Sequence, residues 1–380
     1  MDLIPIMKPW LGQEEVAAAG DAINSGWVAQ GPRVAAFEKA VAQTVGASAG
    51  VAVSSCTTGL HLVLHALGIG PGDEVVTPSL SFIASANAPR YVGATAVFAD
   101  VDPVTLNMTA ATISEALTPK TRAVILVHQL GMPADIHPIR ALCDERGISL
   151  VEDAACAIGS TYLGDPIGSH SPHVVFSFHP RKVITTGEGG MIMVADSARA
   201  DRLRTLRQHA MTVSAFDRHD ADPAEFEQYP EVGFNFRMTD IQAAIGSVQV
   251  SKLEQIVQRR RDLASQYRDR LGRVDGLTLP QDPDYGTTNY QSYCVEVGPA
   301  FGMGRNDLIR HLHSRGVSSR RGVMAIHLES AFPGSPPVPL PVTERLTATT
   351  VLLPLYHEMT ETDLERVTEA VVEAPEVTRV

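Results

Sequence analysis

The segment 177–190 places one lysine where a lysine can do chemistry. The chain has five lysines, and only Lys182 lies between an aromatic-containing apolar run and a glycine-rich turn. A lysine held in such surroundings can lose its proton through desolvation and act as a Schiff-base nucleophile. A surface lysine beside a loop would give the same pattern, so this segment alone leaves both interpretations open.

A carboxylate at the end of an apolar run is the second candidate group. Asp153 follows the run 148–151, and a carboxylate buried there is costly unless a cation pairs with it. A protonated pyridine nitrogen is such a cation, and an enzyme that uses pyridoxal 5'-phosphate (PLP) needs this pairing to keep the ring an electron sink. Taken alone, an aspartate that caps the following turn is the simpler explanation.

A cluster of small polar residues forms the third candidate group. The sequence Ser-Cys-Thr-Thr-Gly at residues 55–59 opens a predicted helix. Free backbone N–H groups at a helix N-terminus bind phosphate, and hydroxyl side chains add donors. N-capping of the helix would explain one of the threonines, but it does not require all of the small polar residues in the cluster. Together the three segments suggest a lysine, a ring partner and a phosphate site.

Several other kinds of site are excluded by motif and composition. The sequence has no Walker A, HExxH or CxxC motif, and residues 68–72 lack the third glycine of a dinucleotide fingerprint. The four cysteines are scattered without metal-ligand spacing, so we expect no metal site and a reducing compartment. The net charge of −12 argues against nucleic acid or an anionic membrane as the main partner.

The sequence shows no targeting or membrane signal. Residues 1–12 lack the long apolar stretch of a signal peptide. No apolar run approaches the roughly 20 residues that a membrane helix needs. We therefore expect a cytoplasmic protein with no membrane partner.

The order of apolar patterns predicts an α/β fold. The predicted strands are residues 50–54, 74–77, 96–99, 122–128 and 148–151, and the predicted helices are residues 60–67, 81–92 and 135–146. This alternation predicts a mostly parallel sheet covered by helices. Ligands bind at the carboxyl ends of the strands in such sheets, where the candidate groups would meet.

The pattern changes near residue 250, where we place a domain boundary. Residues 1–250 are predicted to form a large cofactor-binding domain and residues 251–380 a smaller C-terminal α/β domain. The second part begins with a long amphipathic helix, 253–271. Its run Arg259-Arg260-Arg261 is interpreted as a solvated face and not as a binding site.

At this point the sequence resembles a known family, the DegT/DnrJ/EryC1/StrS group of PLP-dependent sugar aminotransferases. The similarity runs nearly end to end. The matching segments are residues 26–28, 30–32, 54–64, 78–82, 151–155, 177–190, 233–242, 353–356 and 358–360. The resemblance implies the fold-type-I PLP transferase fold of the aspartate aminotransferase superfamily.

The resemblance also implies a role for each residue that matches a family motif. Lys182 would hold PLP as a Schiff base and Asp153 would pair with the pyridine nitrogen. The remaining cofactor contacts would be ring stacking by Phe82, phosphate binding by Thr57, Thr58 and Ser177, and a phosphate contact by Asn235 from the partner chain. The last contact implies a homodimer whose active sites are shared across the interface.

Two positions depart from the family pattern, and two segments carry open assignments. Cys156 stands where the family usually has a glutamine near the ring hydroxyl, and a thiol is a weaker donor than an amide. Cys56 stands where the family usually has a glycine, and we assign it no role. Trp27 is a candidate substrate contact. Arg320 and Arg321 fit either a contact with an acceptor or donor anion or a surface charge cluster.

The function expected from the resemblance is transfer of an amino group from an amino acid to a keto group of a nucleotide-linked sugar. L-glutamate or L-glutamine is the expected donor. The alternatives are an aminotransferase for a cyclitol ketone and a PLP-binding regulator without turnover. Related sugar dehydratases carry histidine at the position of Lys182, which argues against that activity here. The sequence does not identify the acceptor or the aminated position.

Overall fold

A computed structural model describes residues 3–212, 226–334 and 336–377 of the chain. Its strands are β1 (Ala49–Val53), β2 (Glu74–Pro78), β3 (Thr95–Ala99), β4 (Thr121–Val127), β5 (Ser149–Asp153), β6 (Thr161–Tyr162), β7 (Asp165–Pro166), β8 (His173–Ser177), β9 (Gly190–Val194), β10 (Leu277–Thr278), β11 (Gly286–Thr287), β12 (Tyr293–Val297), β13 (Arg320–Arg321) and β14 (Thr350–Leu353). Its α-helices are α1 (Gln13–Asn24), α2 (Pro32–Val45), α3 (Cys56–Ala66), α4 (Ala84–Tyr91), α5 (Ala110–Ala116), α6 (Ile136–Arg146), α7 (Ser197–Arg207), α8 (Asp240–Ser251), α9 (Leu253–Leu271), α10 (Arg305–Ser314), α11 (Pro341–Thr349) and α12 (Glu361–Val377).

A seven-stranded sheet carries the residues that the sequence marks for chemistry. Its strand order is β1-β9-β8-β5-β4-β2-β3. The pairs from β3 to β8 are parallel, and β9 runs antiparallel to both of its neighbours. Strands β8 and β9 are buried along their whole length, as expected where helices cover both faces of a sheet. The prediction of a mostly parallel sheet is confirmed.

A second, smaller sheet lies in the C-terminal part of the chain. Its order is β10-β12-β14-β13, and all of its pairs are antiparallel. Helices α9 and α12 pack together beside it, and the core between them includes the stacked rings of Tyr267 and Tyr293. Ile4, near the N-terminus, forms a bridge with Val317 and belongs to the same core. A smaller α/β unit is thus present in the C-terminal part of the chain, while its standing as a separate domain with a boundary at residue 250 stays a prediction.

The arginine run on α9 is not a solvated face, because Arg260 is buried and Arg259 and Arg261 are half-buried, so that interpretation is wrong. Arg260 is only 2% exposed, and its Nη1 donates to the carbonyl oxygens of Tyr290, Gln291 and Leu355 at 3.0, 3.1 and 3.2 Å. Burial lowers the pKa of Arg260 to about 10. The helical spacing places residue 260 on the same face as Ile256 and Leu263, but the carbonyls that receive the guanidinium come from distant loops and have no local signal.

Helix α4 begins three residues later than the apolar pattern suggests. The backbone of Leu80 forms an antiparallel bridge with Ala325, and its carbonyl accepts a hydrogen bond from the Gln129 side chain. The chain is therefore held extended after β2 and turns into a helix only at Ala84.

Within the described ranges, no helix is both long enough and apolar enough to cross a membrane.

Candidate active site

The candidate groups lie at or just after the carboxyl ends of three strands, at one edge of the large sheet. Asp153 is the last residue of β5, Ser177 is the last residue of β8, and helix α3 follows β1 after two residues. Because β1, β5 and β8 point the same way, their carboxyl ends meet at this edge. The expected meeting of the lysine, aspartate and helix segments therefore has a structural basis.

Asp153 is a buried carboxylate surrounded by neutral donors. It is 4% exposed. Its Oδ2 accepts a 2.8 Å hydrogen bond from Ser85, while Oδ1 faces the Cys56 thiol at 3.7 Å and the Ala155 N–H at 3.2 Å. In the part of the chain that the structure describes, no ion pair neutralises it. A buried anion of this kind favours a cation, so the site fits the protonated nitrogen of a pyridine ring.

Lys182 lies against the sulfur of Cys156. Its Nζ donates to Cys156 Sγ at 3.1 Å. Burial acts to lower the pKa of Lys182, but charge on Cys156, the hydrogen bond to it, and the charges of Cys56 and Asp153 raise it, and the net pKa lies above its usual value. The expectation that desolvation frees the amine is therefore wrong for the chain alone. Pairing of Asp153 with a ring cation would remove one of the contributions that raise this pKa.

The N-terminus of α3 has the form of an anion site, but one expected donor is already engaged. Ser55 caps the helix by accepting from the Thr58 N–H at 3.1 Å. The Thr58 hydroxyl donates its single proton to the Ser55 carbonyl at 2.8 Å, so its role as a phosphate donor requires that hydroxyl to rotate. Thr57 carries a half-buried hydroxyl on the same turn. The first N–H groups of a helix lack intrahelical partners, and the helix dipole favours an anion beside them.

The position of this helix depends on a glycine of the neighbouring strand. Gly190, at the start of β9, pairs with Ser177. A Cβ atom at Gly190 would lie 2.6 Å from the backbone nitrogen of Cys56. Only glycine therefore allows β9 to lie this close to the first turn of α3. The side chain of Ser177 is 7% exposed beside this contact.

Phe82, the predicted ring-stacking residue, is open to solvent. Its side chain is 69% exposed, in the extended segment just before α4. Ser85, one turn farther along, is the residue that contacts Asp153. A flat aromatic face near the edge of the sheet is therefore available for stacking, and the stacking itself stays a prediction.

Four residues to which the sequence analysis assigns no role support the site. Ser85 and Cys56 contact Asp153 directly. Asn289 is fully buried and its Nδ2 donates to the carbonyls of Cys156 and Ile158, both at 2.8 Å. Gln291 donates to the Arg181 carbonyl at 2.8 Å. The loop before β12 thus fixes the backbone on both sides of the contact between Cys156 and Lys182.

The other predicted residues are not joined to this cluster. Asn235 is exposed and its backbone bridges to Gln208. Arg320 and Arg321 are exposed on β13, and Arg321 forms an ion pair of 3.6 Å with Glu329. Among the described residues, none of these three forms a hydrogen bond or ion pair with Lys182 or Asp153.

Trp27 is half-buried and packs near a turn. Its ring lies close to Gly31, where an added Cβ atom would be 2.9 Å away. Its backbone N–H donates to Ser25. Nothing in these contacts decides whether Trp27 meets a substrate, so that role stays a prediction.

Comparison with known proteins identifies the family of the chain. The model of the DegT/DnrJ/EryC1/StrS aminotransferase family matches residues 9–372. The chain belongs to this family. The family depends on PLP. In this chain the buried Asp153 would hold the ring nitrogen, the N-terminus of α3 would hold the phosphate, and Lys182 would hold the aldehyde carbon.

In the described part of the chain, no group of three or more His, Cys, Asp or Glu side chains is arranged to hold a metal ion.

Three solved structures share the fold. The aminotransferase TlmJ from Streptoalloteichus hindustanus is 38% identical, with a TM-score of 0.91 and complete coverage of both chains. DesI, solved in the presence of its TDP-sugar product, is 32% identical with a TM-score of 0.89, over 100% of this chain and 94% of DesI. DesV from S. venezuelae, solved with a ketimine intermediate, is 30% identical with a TM-score of 0.89 over 99% of both chains. This aminotransferase therefore has the fold-type-I architecture.

Proposed function

We propose that this aminotransferase moves an amino group from an amino acid, L-glutamate or L-glutamine, to a keto group of a nucleotide-linked sugar. The observation that carries the proposal is the meeting of Asp153, Lys182 and the α3 N-terminus at one sheet edge. The similarity to DesI, whose structure was solved with a TDP-sugar product, supports the acceptor class. The cyclitol and regulator alternatives become outcomes of the tests below.

The chain's own residues divide the work among them. Bound PLP supplies an electron sink for the negative charge that develops on the donor's α-carbon. Asp153 keeps the ring nitrogen protonated, because a buried carboxylate stabilises a neighbouring cation. Lys182 Nζ takes the proton from the α-carbon, the kind of transfer that a positioned amine performs. Thr57, Thr58, Ser177 and the α3 N-terminus hold the phosphate.

The first test is an absorbance titration of the purified protein with PLP, then with each donor. A visible band that L-glutamate or L-glutamine converts to the amine form of the cofactor establishes the first half-reaction and identifies the donor. Keto forms of TDP- and UDP-linked sugars, with a cyclitol ketone beside them, then identify the acceptor. A protein that binds PLP but responds to no donor would support the regulator, and Lys182→Ala provides the inactive control.

We also infer a homodimer in which Asn235 completes the partner's phosphate site. The exposure of Asn235 supports this role. The position of its segment also supports it, because the carbonyl of Phe236 accepts a hydrogen bond of 2.8 Å from the N–H of Ser54, just before the N-terminus of α3. Lys182→Ala and Asn235→Ala are each expected to be inactive. If sites are shared, mixing the two variants under subunit exchange regenerates one intact site in each mixed dimer. If each chain uses its own Asn235, mixing restores nothing.

Substrate contacts are assigned to Trp27, Arg320 and Arg321. The two arginines are exposed cations on one short strand, and arginine pairs well with phosphate and carboxylate groups. Arg320→Ala and Arg321→Ala should raise KM for the sugar nucleotide by about 10-fold and leave KM for the donor unchanged. An effect on the donor alone would move the arginines to the donor carboxylate, and no effect on either would identify a surface charge cluster.

A further inference from the structure

Two nucleophilic side chains touch at the carboxyl edge of the large sheet. Lys182 Nζ and Cys156 Sγ are 3.1 Å apart, although their segments follow different strands. The backbone beside each is fixed, since Asn289 holds the Cys156 carbonyl and Gln291 holds the carbonyl of Arg181. The sulfur and the nitrogen are therefore held in contact by the fold and are not brought together by chance on a mobile surface.

We propose that Cys156 and Lys182 are an oxidative modification site, at which a hydroperoxide drives formation of a covalent sulfur–nitrogen bond between them. The bond occupies the amine on which the proposed aminotransferase chemistry rests. Its formation needs only the two side chains and the oxidant, so it is detected independently of any transamination.

The chemistry proceeds in two balanced steps. The Cys156 thiol first gives up its proton, and the thiolate takes one oxygen from hydrogen peroxide to become a sulfenic acid, while the other peroxide oxygen leaves as hydroxide and picks up that proton to form water. The lone pair of the Lys182 amine then attacks the sulfur. The S–N bond forms, the S–OH bond breaks, and the hydroxyl leaves as water with a proton from the nitrogen. One peroxide is consumed, two waters are released, and the protein loses two hydrogens.

Cys156 differs from the other three cysteines in the way that the first step requires. Thiolates react with peroxide, and thiols do not. Burial raises the pKa of Cys143 to about 11 and that of Cys294 to about 12. Burial and the charge of Asp153 raise the pKa of Cys56 well above its usual range. Cys156 alone is half-buried and accepts a hydrogen bond from an amine cation.

Oxidation of Cys156 itself prepares Lys182 for the second step. Charge on Cys156 and the hydrogen bond to it raise the pKa of Lys182, against the lowering effect of burial. A sulfenic acid is neutral, so the first step removes that charge while burial remains. The pKa of Lys182 then falls, and the neutral amine that attack requires becomes accessible.

Whether Lys182 holds PLP should control the rate at which the crosslink forms. A Lys182 nitrogen that held PLP would not be free to attack sulfur, and an amino donor that displaced it would leave the amine free. We expect the crosslink to form at least about 10-fold faster in the donor-treated enzyme than in the PLP-loaded enzyme. Oxidation would thus trap the enzyme part-way through its cycle.

The test is mass spectrometry of the full-length enzyme after hydrogen peroxide, with and without prior donor. The expected result is a mass about 2 Da lower, a peptide joining residues 156 and 182, loss of tryptic cleavage after Lys182, and reversal by dithiothreitol, because a thiol cleaves the S–N bond. Cys156→Ser is the matched control and should give no crosslink.

Two results would overturn the proposal. One is the absence of a joined peptide in an enzyme whose Cys156 has been oxidised. The other is a peptide that joins residues 56 and 156, which is a disulfide with the same mass change; Cys56→Ser abolishes that product and leaves the proposed one. An enzyme that transaminates without forming the crosslink refutes this inference and leaves the proposed function standing. A protein that forms the crosslink but has no turnover supports this inference and refutes the proposed function.

Discussion

Ser85, on helix α4, donates a hydrogen bond of 2.8 Å to Asp153 at the end of strand β5. The Cys56 thiol, at the start of helix α3, faces the other carboxylate oxygen at 3.7 Å. Three elements thus meet on one carboxylate. Because both partners are neutral, they orient Asp153 without cancelling its charge, and the charge remains available for a ring cation.

Replacing Ser85 with alanine should weaken cofactor binding. A hydrogen bond to a charged group contributes about 1.5–3 kcal/mol, so we expect the Kd for PLP to rise at least roughly 10-fold, with a lower rate of donor-dependent spectral change. Absorbance titration gives the Kd and stopped-flow absorbance gives the rate. Ser197→Ala, an exposed serine on α7, is the matched control. A Ser85→Ala enzyme that binds PLP like the wild type would show that Asp153 does not depend on this contact.

Adding a methyl group at Gly190 should displace helix α3, whose N-terminus is the proposed phosphate site. The new Cβ would lie 2.6 Å from the Cys56 nitrogen, and such overpacking costs about 1–3 kcal/mol. We expect Gly190→Ala to lower the free energy of unfolding by that amount and to raise the Kd for PLP.

Gly20→Ala is the control for this substitution, since no atom lies within 4 Å of an added Cβ there and the residue is in helix α1. That change should stabilise the protein by about 0.5–1 kcal/mol. Urea unfolding of the apoenzyme separates the stability effect from cofactor loss. Equal stability of the two glycine variants would contradict the close approach of β9 to α3.

Removal of the Arg260 guanidinium should destabilise the C-terminal domain. Three buried carbonyls would lose their donor, and leaving buried polar groups unpaired costs about 1–3 kcal/mol each before relaxation. We expect Arg260→Met to lose at least about 3 kcal/mol of unfolding free energy. Arg273→Ala, at an exposed arginine, should change it by no more than about 0.5 kcal/mol. A loss of the same size in both variants would refute a specific role for the buried guanidinium.

The sequence indicates the strands better than the contacts that cross between them. Strand β2 was predicted at residues 74–77 and spans Glu74–Pro78 in the structure, because a short apolar run between turn signals is a local property. Asp153 was indicated for a similar reason, as an acidic residue at the end of such a run. The family resemblance then supplied the order of motifs, which no local pattern contains.

Contacts between distant segments were not accessible in this way. Asn289 lies 133 residues from Cys156, whose carbonyl it holds, and an isolated asparagine in a polar loop carries no local signal of that role. The interpretation of Arg260 failed in part for the same reason: its spacing from Ile256 and Leu263 places it on the apolar face of α9, but the distant carbonyls that accept its hydrogen bonds have no local signal. The weaker donor expected at Cys156 was anticipated from its residue type, but its contact with Lys182 required the fold.

His173 should make the stability of the fold fall in mild acid. Burial, reinforced by the charge of Arg199, lowers the pKa of His173 to about 4. The unfolded chain binds a proton near pH 6.5 and the folded chain only near pH 4, so stability is fully present above about pH 6.5 and is lost as the pH falls towards about 4. The loss attributable to this residue over that window is roughly 3 kcal/mol. Urea unfolding at several pH values should show that His173→Gln flattens this dependence, whereas His313→Gln, at an exposed position on α10, leaves it unchanged. If the His173 variant lost stability as steeply as the wild type, the acid sensitivity would have to come from other groups.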